Sequence, residues 1–538
     1  MTKQGAPAIS AEESLRITQE RGWTGGHNPW TVALVVTMAT FMEVLDTAIA
    51  NVSLPHIAGS LSSSIDESTW VLTSYLVSNA VVLPISGWVA TRMGRKRFYL
   101  TCVFLFTVSS FLCGLAPNLG LLVFFRVLQG IGGGGLAPSE QAILADTFPP
   151  AKRGMAFAVY GMAVVLAPAI GPTLGGFITD HYSWRWVFFI NVPVGIASMV
   201  LSSRILVDPP HLVEAKKRVG PIDTLGLGLI AVGLGSLEYV LDKGQEDDWF
   251  HSHSIVFFAA VAAVSLVTFV IWEWRQEHPV VEVQMFRNRT FAVSTLMMLV
   301  LGMALYGSTV LLPQYLQVWM GYSAQDAGMV LSPGGFVVIL LLPFVGRLIS
   351  KVDARYLIAF GFVILSISLF HMAHTIYPGI DFRTAVVIRA YQASGLAFLF
   401  VPINTLAYAG VPPQKNNQVS GIVNLARNMG GDIGISFITT LIARRSQFHQ
   451  SRLVEHVVPS GELTARISAM AQHLQQLGIG AAQATKMAYG QLYGQVIKQA
   501  QTLAYLDALL LLSIFTAIMV PAVLLTRKAK PGAAAMAH

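Results

Sequence analysis

Apolar residues run along this chain in long continuous stretches rather than in alternation with polar ones. A helix that crosses a bilayer needs roughly 20 apolar residues, whereas the strands of a membrane barrel alternate. The pattern therefore predicts an all-α polytopic membrane protein with fourteen spans. We place them near residues 30–54, 69–90, 98–115, 119–143, 155–178, 185–206, 222–242, 253–274, 291–317, 326–350, 355–376, 384–410, 418–443 and 502–526.

The positions of lysine and arginine predict how these spans are oriented. With the N-terminus inside, the inner segments carry 23 Lys and Arg, and the short outer loops carry three. Cytoplasmic loops hold an excess of basic residues, and long loops such as 444–501 are exempt from this rule. We therefore expect both termini to be cytoplasmic, which agrees with the even number of spans.

Composition narrows the class of protein further. Of the 538 residues, 54% are hydrophobic and only 12% are charged, which excludes a soluble enzyme or a disordered chain. We interpret the net charge of +7 as loop lysine and arginine rather than a nucleic-acid surface. An intramembrane enzyme would need a nucleophile with its base or a metal cluster, and neither pattern is present in the sequence. We expect no enzymatic activity, no cofactor and no metal.

Charged residues inside the spans are candidates for function, because a charge at mid-bilayer costs at least about 2.5 kcal/mol. They are Glu43, Asp46, Arg126, Glu140, Glu238, Arg389, Arg427, Asp432 and Asp507. Glu43 and Asp46 are three residues apart and share a helix face. Because two close carboxylates cannot both ionise cheaply, this pair favours a group that takes up and releases a proton. The alternative is a pair of hydrogen-bonded packing residues near the helix end.

The fourth span carries Arg126, Gln129 and a run of glycines. A buried arginine needs a carboxylate, and either Asp46 or Glu43 is a suitable partner for Arg126. The spacing of Gly130, Gly132 and Gly135 fits a dinucleotide motif. No strand precedes it and it lies within an apolar span, so we expect close helix packing instead.

A glycine-rich basic turn joins the second and third spans. It contains Gly87, Arg92, Gly94, Arg95 and Lys96. Glycine permits a tight turn and close helix approach, and arginine can bond the carbonyls at helix ends. The turn therefore favours a cytoplasmic gate, although the basic residues alone would also satisfy the orientation rule.

The fifth span combines prolines with small residues, namely Gly161, Pro168, Gly171, Pro172, Gly175 and Gly176. Proline removes backbone hydrogen bonds and bends a helix, and small residues let helices pack closely. This combination favours a moving seam between two bundles; ordinary small-residue packing is the alternative.

Polar residues of the second half suggest a cavity and an outer helical segment. Residues that can line a cavity are Gln129, Gln314, Gln317, Gln392, Asn404 and Arg427. Arg427 is five residues from Asp432, a poor spacing for a pair within one helix, so we expect it to bond a neighbouring helix. Within 444–501, apolar residues at helical spacing predict two amphipathic helices around residues 478–480, which either cover the bundle or dock a partner.

Together these motifs resemble those of the major facilitator superfamily, especially its fourteen-span drug:proton antiporters of the EmrB/QacA type, over about residues 30–526. Two positions differ from the family pattern: Thr91 replaces an acid in the glycine-rich turn, and Glu43 accompanies the family aspartate, Asp46. The resemblance implies an N-tail 1–29, a six-helix bundle 30–206, two inserted helices in 207–290, a second bundle 291–526 and a C-tail 527–538.

The resemblance also implies a function. It indicates an exporter of lipophilic toxic compounds in the inner membrane, driven by a proton gradient through Asp46, Glu43 and Arg126. In Gram-negative bacteria such proteins work with an EmrA-like periplasmic adaptor and a TolC-like outer-membrane channel. The alternative with the same fold is a dedicated proton-coupled carrier of a metabolite or fatty acid.

Overall fold

The structure is a computed structural model that describes residues 10–217, 223–455 and 461–527. Residues 1–9 of the expected N-tail and 528–538 of the expected C-tail lie outside the described residues. Within the described ranges the chain forms α-helices and a few short 3₁₀ or π turns, and no strand occurs there.

The helices of the first half are α1 (Ala11–Glu20), α2 (Pro29–Leu61), α3 (Ile65–Ser68), α4 (Trp70–Met93), α5 (Arg95–Leu115), α6 (Leu119–Gly133), α7 (Leu136–Thr147), α8 (Pro150–His181), α9 (Trp186–Phe189) and α10 (Asn191–Ile205). They are followed by α11 (Pro210–Lys217), α12 (Thr224–Lys243) and α13 (His253–Arg275). The second half contains α14 (Arg289–Gln314), α15 (Ala324–Leu348), α16 (Ala354–Thr375), α17 (Phe382–Ala407), α18 (Asn416–Glu455), α19 (Gly461–Gln476) and α20 (Ala481–Ala522).

Polar cap residues set where many of the long helices begin. Asn28 precedes Pro29, and its side-chain oxygen accepts from the backbone amide of Trp30 at 2.9 Å. Asn118 and Asp381 cap α6 and α17 in the same way. A cap satisfies a backbone amide that the first helical turn leaves unpaired. The loops therefore end where a short polar side chain meets an apolar run.

The all-α polytopic membrane fold is confirmed. Thirteen helices in the described ranges are long and apolar enough to cross a membrane. The remaining expected span, 418–443, lies in α18, whose hydropathy is lowered by polar side chains such as Asn424, Arg427 and Asp432. Helix α18 nevertheless packs against α4, α14 and α20. The number fourteen therefore stays a prediction.

The packing places α12 and α13 beside the two groups of helices that surround them in sequence. Helices α2, α4–α8 and α10 pack on one another, as do α14–α18 and α20. The two groups meet mainly where α8 packs along α15 and where α4 and α7 contact α18. Helix α12 packs on α13 and contacts α4. This arrangement puts α2, α4, α7, α8 and α18 around the centre of the molecule.

The fourth span differs from the continuous helix that the sequence indicates, whereas the outer segment agrees with expectation. The fourth span is two helices, because α6 ends at Gly133 and α7 begins at Leu136, with glycine at both intervening positions. In the outer segment α19 ends at Gln476 and α20 begins at Ala481, so helices flank residues 478–480 as expected. Ile467 and Ala471 of α19 pack against Ala488 of α20 and bury a small core there.

Candidate functional site

A buried ion pair lies at the centre of the first group of helices. Arg126 of α6 donates to Asp46 of α2 at 2.6 Å, and both side chains have no exposed surface. Gln129 and Asn191 also donate to the Asp46 carboxylate, at 3.0 and 2.6 Å. Of the two acids the sequence offers as partners for Arg126, the structure selects Asp46.

The rest of the Arg126 side chain makes further contacts, although its Nη2 has no hydrogen-bond partner among the described residues. Its Nε donates to the backbone oxygen of Val71 at 2.8 Å, and Gln129 accepts from the guanidinium at 2.8 Å. The ring of Tyr75 lies 4.3 Å from the guanidinium carbon, a cation–π distance. The Asp46 carboxylate therefore accepts hydrogen bonds from three donors, namely Arg126, Gln129 and Asn191.

Glu43 occupies a different environment one helical turn away. One of its oxygens accepts from Asn79 at 3.1 Å and from Tyr75 at 3.4 Å, and the other has no hydrogen-bond partner among the described residues. Glu140 is arranged in the same way, with Thr37 donating to it at 2.6 Å and one oxygen without a partner. A carboxyl group that has an oxygen without a hydrogen-bond partner costs less free energy to bury in its neutral form than as an anion.

Arg427 joins the two groups of helices near Glu43. It donates to the hydroxyl of Tyr160 of α8 at 3.0 Å, as expected for a bond to a neighbouring helix. Tyr160 in turn donates to Asn424 at 3.3 Å, and Asn424 donates to Gln141 of α7 at 2.9 Å. Arg427 also lies within electrostatic range of Glu43. Arg427, Tyr160, Asn424 and Gln141 therefore form a polar network with members from both halves.

The glycine-rich turn lies where the two halves meet at the predicted cytoplasmic end. A Cβ on Gly87 would lie 2.8 Å from the backbone oxygen of Asn417, so α4 and α18 touch there. Gly94 has φ +95°, a conformation that favours glycine. Lys96 donates to the backbone oxygen of Ser203 at 2.7 Å, and Arg92 stacks on the Trp88 ring at 5.4 Å. These contacts are compatible with a gate, and that role stays a prediction.

Asp146 provides a carboxylate next to the glycine-rich turn, where Thr91 replaces the acid of the family pattern. Arg95 pairs with Asp146 and is 3% exposed. The other Asp146 oxygen accepts from Asn416 of α18 at 2.7 Å. Sequence reasoning missed Asp146, although a signal exists: it is an acid just beyond the expected fourth span, and every residue of the helix that carries it, α7, is buried. One carboxylate therefore connects α5, α7 and α18.

The glycines of α8 divide between two interfaces. A Cβ on Gly171 would lie 2.5 Å from the Ala48 side chain, and one on Gly175 would lie 2.9 Å from that of Ile49, so both face α2. Gly161 instead faces Phe400 of the second group, at 2.9 Å. Gly176 has nothing within 4 Å. Pro168 and Pro172 lie inside one continuous helix. The motif thus contacts both halves.

The remaining cavity candidates lie in unlike surroundings. Gln392 is buried and accepts from Arg389 at 2.7 Å, and Asn404 is buried and donates to the backbone of its own helix at 2.9 Å. Gln314 and Gln317 are exposed where α14 passes into a short π-helical turn. Gln129 belongs to the Asp46 centre. Their role at a cavity remains a prediction.

Comparison with known proteins identifies the class. Residues 36–435 match the Major Facilitator Superfamily, so the chain belongs to that superfamily of membrane transporters. The xylose symporter XylE, which is 14% identical, has the same fold at a TM-score of 0.59, covering 93% of this chain and 97% of its own.

Two relatives show to which group of transporters within the superfamily the chain belongs. The chain is 38% identical to "Multidrug export protein EmrB" of Escherichia coli (strain K12), over 84% of this chain and 87% of that one. It is also 38% identical to "Fatty acid resistance protein FarB" of Neisseria gonorrhoeae, over 83% and 87%. The chain belongs with the EmrB-like drug transporters of the superfamily.

Proposed function

We propose that this protein exports lipophilic toxic compounds in exchange for protons, by alternating access around the centre that joins its two halves. Its similarity to the multidrug exporter of Escherichia coli supports drug export. The observation that carries the proton coupling is the fully buried Asp46–Arg126 pair with its two further donors. An ion pair without exposed surface requires the desolvation of two charges. Forming the pair in one conformation and breaking it in another can therefore couple proton binding to a conformational change.

In this mechanism Asp46 and Glu43 have separate tasks. Glu43, which has a free oxygen, takes the proton first, and Asp46 is protonated when the pair with Arg126 separates. Loss of that pair changes how α2 and α6 pack and releases the substrate. One charge moved across 100 mV contributes about 2.3 kcal/mol, which sustains a gradient of roughly fifty-fold.

Proton release from the purified protein tests this proposal. A panel of lipophilic compounds is added to unbuffered wild type, to Asp46→Asn and to Glu43→Gln, and the pH change is recorded. We expect release in wild type, none in Asp46→Asn and a reduced amount in Glu43→Gln. Release that persists unchanged in Asp46→Asn would refute coupling through the ion pair.

A dedicated proton-coupled carrier of one metabolite or fatty acid is the second candidate. It is favoured by the similarity to a relative named for fatty acid resistance. Competition assays separate the two candidates, because a multidrug exporter is inhibited by several unrelated compounds and a dedicated carrier by analogues of one.

We further propose that the protein lies in the inner membrane with both termini cytoplasmic, and that its outer helices dock an EmrA-like adaptor leading to a TolC-like channel. Helices α18 and α20 are 40 and 42 residues long, well beyond the length that a bilayer needs. Tyr489 and Tyr493 are exposed one turn apart on α20. Cross-linking from these positions to a co-expressed adaptor tests the contact, with the exposed Gln472 as a control.

A further inference from the structure

The second half repeats the arginine–glutamine motif of the first. Arg389 and Gln392 of α17 have the same three-residue spacing as Arg126 and Gln129 of α6. In both helices the guanidinium donates to the glutamine oxygen, at 2.7 Å in α17 and 2.8 Å in α6. Both arginines also reach across to the first long helix of their own half, α14 and α2 respectively.

The acceptors on that first helix differ between the halves. Arg126 meets the carboxylate of Asp46, whereas Arg389 donates to the hydroxyl oxygens of Ser308 at 3.1 Å and Thr309 at 2.9 Å. In the part of the chain that the structure describes, no carboxylate pairs with Arg389. Its Nε has no hydrogen-bond partner there, and the residue is only 7% exposed. The second half thus keeps the cation but has no counter-charge for it.

Burying a guanidinium in this position without a counter-charge costs free energy. Arginine stays charged under all physiological conditions, and buried charges in membrane proteins pair with an opposite charge or face a water-filled cavity. Neutral hydroxyl and amide oxygens satisfy some of its donors but supply no net charge. On the α15 side the site is closed, since a Cβ on Gly334 would lie 3.2 Å from the Arg389 side chain.

We infer that Arg389, held in position by Gln392, Ser308 and Thr309, binds the carboxylate of lipophilic acids, which thereby form a preferred class of substrate. This inference rests on the proposed export function. The planar guanidinium fork matches a carboxylate, and the substrate supplies the charge that Asp46 supplies in the first half. The hydroxyls of α14 hold the fork in place while the site is empty.

Binding of a matched pair of ligands to the purified full-length protein tests the inference. Dodecanoic acid, at a pH where it is ionised, is compared with its uncharged methyl ester. In Arg389→Gln we expect affinity for the acid to fall about tenfold or more, while affinity for the ester stays unchanged. Arg389→Lys keeps a positive charge and should retain part of the preference.

Thr309→Asp gives the sharper result, because it does not depend on removing a buried residue. It places a carboxylate beside Arg389 and so reproduces the pairing of the first half. We expect this variant to fold at least as stably as wild type, to bind the ester normally and to lose its preference for the acid. Thr309→Asn, which has the same shape without the charge, is the control and should keep the preference.

The outcomes separate this inference from the proposed function. Equal losses of acid and ester in Arg389→Gln, or an acid preference that survives in Thr309→Asp, would show that Arg389 is structural and overturn the inference. Export of the ester by wild-type proteoliposomes in a proton gradient would still support the proposed function in that case. If wild type exports neither compound, nor a lipophilic dye, both the function and the inference fail.

Discussion

At the scale of single residues, the pair of Asp46 and Arg126 dominates because both charges are wholly buried. Removing one member of such a pair leaves the other without compensation, which typically costs about 3–5 kcal/mol, whereas removing both is far less costly. We expect Asp46→Asn and Arg126→Gln each to lower the melting temperature of the purified protein strongly. The double variant should recover most of that loss.

A double-mutant cycle of thermal unfolding measures this coupling. Glu43→Gln is a matched control, since glutamine keeps an oxygen for Asn79 and Glu43 forms no ion pair with another described residue. It should melt close to wild type. If the two losses simply add in the double variant, then Asp46 and Arg126 do not depend on each other and the account of the centre is wrong.

The sequence could show that these charges are buried but not all of what they meet. Arg126 and Asp46 were predicted because charge is rare inside apolar spans, and Gln129 because it belongs to the arginine–glutamine motif of the same span. Asn191 was missed as a ligand of Asp46, since an asparagine at a helix start is usually a cap and carries no cost that marks it as unusual. Partners that lie 145 residues apart are brought together by packing of α2 against α10, which no local pattern encodes.

At the scale of helices, adjacent glycines of α8 provide an internal comparison. A methyl group at Gly175 would meet the Ile49 backbone at 3.2 Å, whereas one at Gly176 meets nothing within 4 Å. We therefore expect Gly175→Ala to push α8 away from α2 and to reduce both thermal stability and export. Gly176→Ala should be neutral or slightly stabilising, because alanine favours helix more than glycine does.

Export by proteoliposomes and melting temperature, measured side by side, check this prediction. Equal effects of the two substitutions would mean that the close approach of α8 and α2 has no role. The sequence motif treats these two glycines alike, and only the three-dimensional packing distinguishes them.

The contact between α7 and α18 gives a second prediction at this scale. Asp146 binds both the buried Arg95 and Asn416, so Asp146→Ala breaks two interactions and leaves Arg95 without a counter-charge, whereas Asn416→Ala breaks one hydrogen bond to the carboxylate. We expect a loss of about 1.5–3 kcal/mol in the free energy of unfolding for Asn416→Ala and a larger loss, about 3–5 kcal/mol or more, for Asp146→Ala. Denaturant unfolding in detergent measures both; losses of similar size would exclude Asp146 as the connecting residue.

At the scale of the whole molecule, the fold was the most predictable feature, because a bilayer demands long apolar helices wherever the chain crosses it. The same demand explains where prediction was weakest. Helix α18 carries Asn424, Arg427 and Asp432 and falls below the hydropathy of a membrane span, yet it packs between α4, α14 and α20. Its polar residues are accommodated by neighbours from both halves, which hydropathy does not register.

The excess of lysine and arginine on one side predicts the orientation of the protein across the membrane. This orientation can be tested by labelling introduced cysteines, because both native cysteines, Cys102 and Cys113, are buried. Gln414, between α17 and α18, and Gln475, in α19, are both exposed. We expect a membrane-impermeant maleimide to label Gln475→Cys in intact spheroplasts, and Gln414→Cys only after the membrane is opened. The unsubstituted chain should stay unlabelled in both conditions. Labelling of Gln414→Cys from outside would invert the topology and, with it, the direction in which Asp46 and Glu43 take up protons.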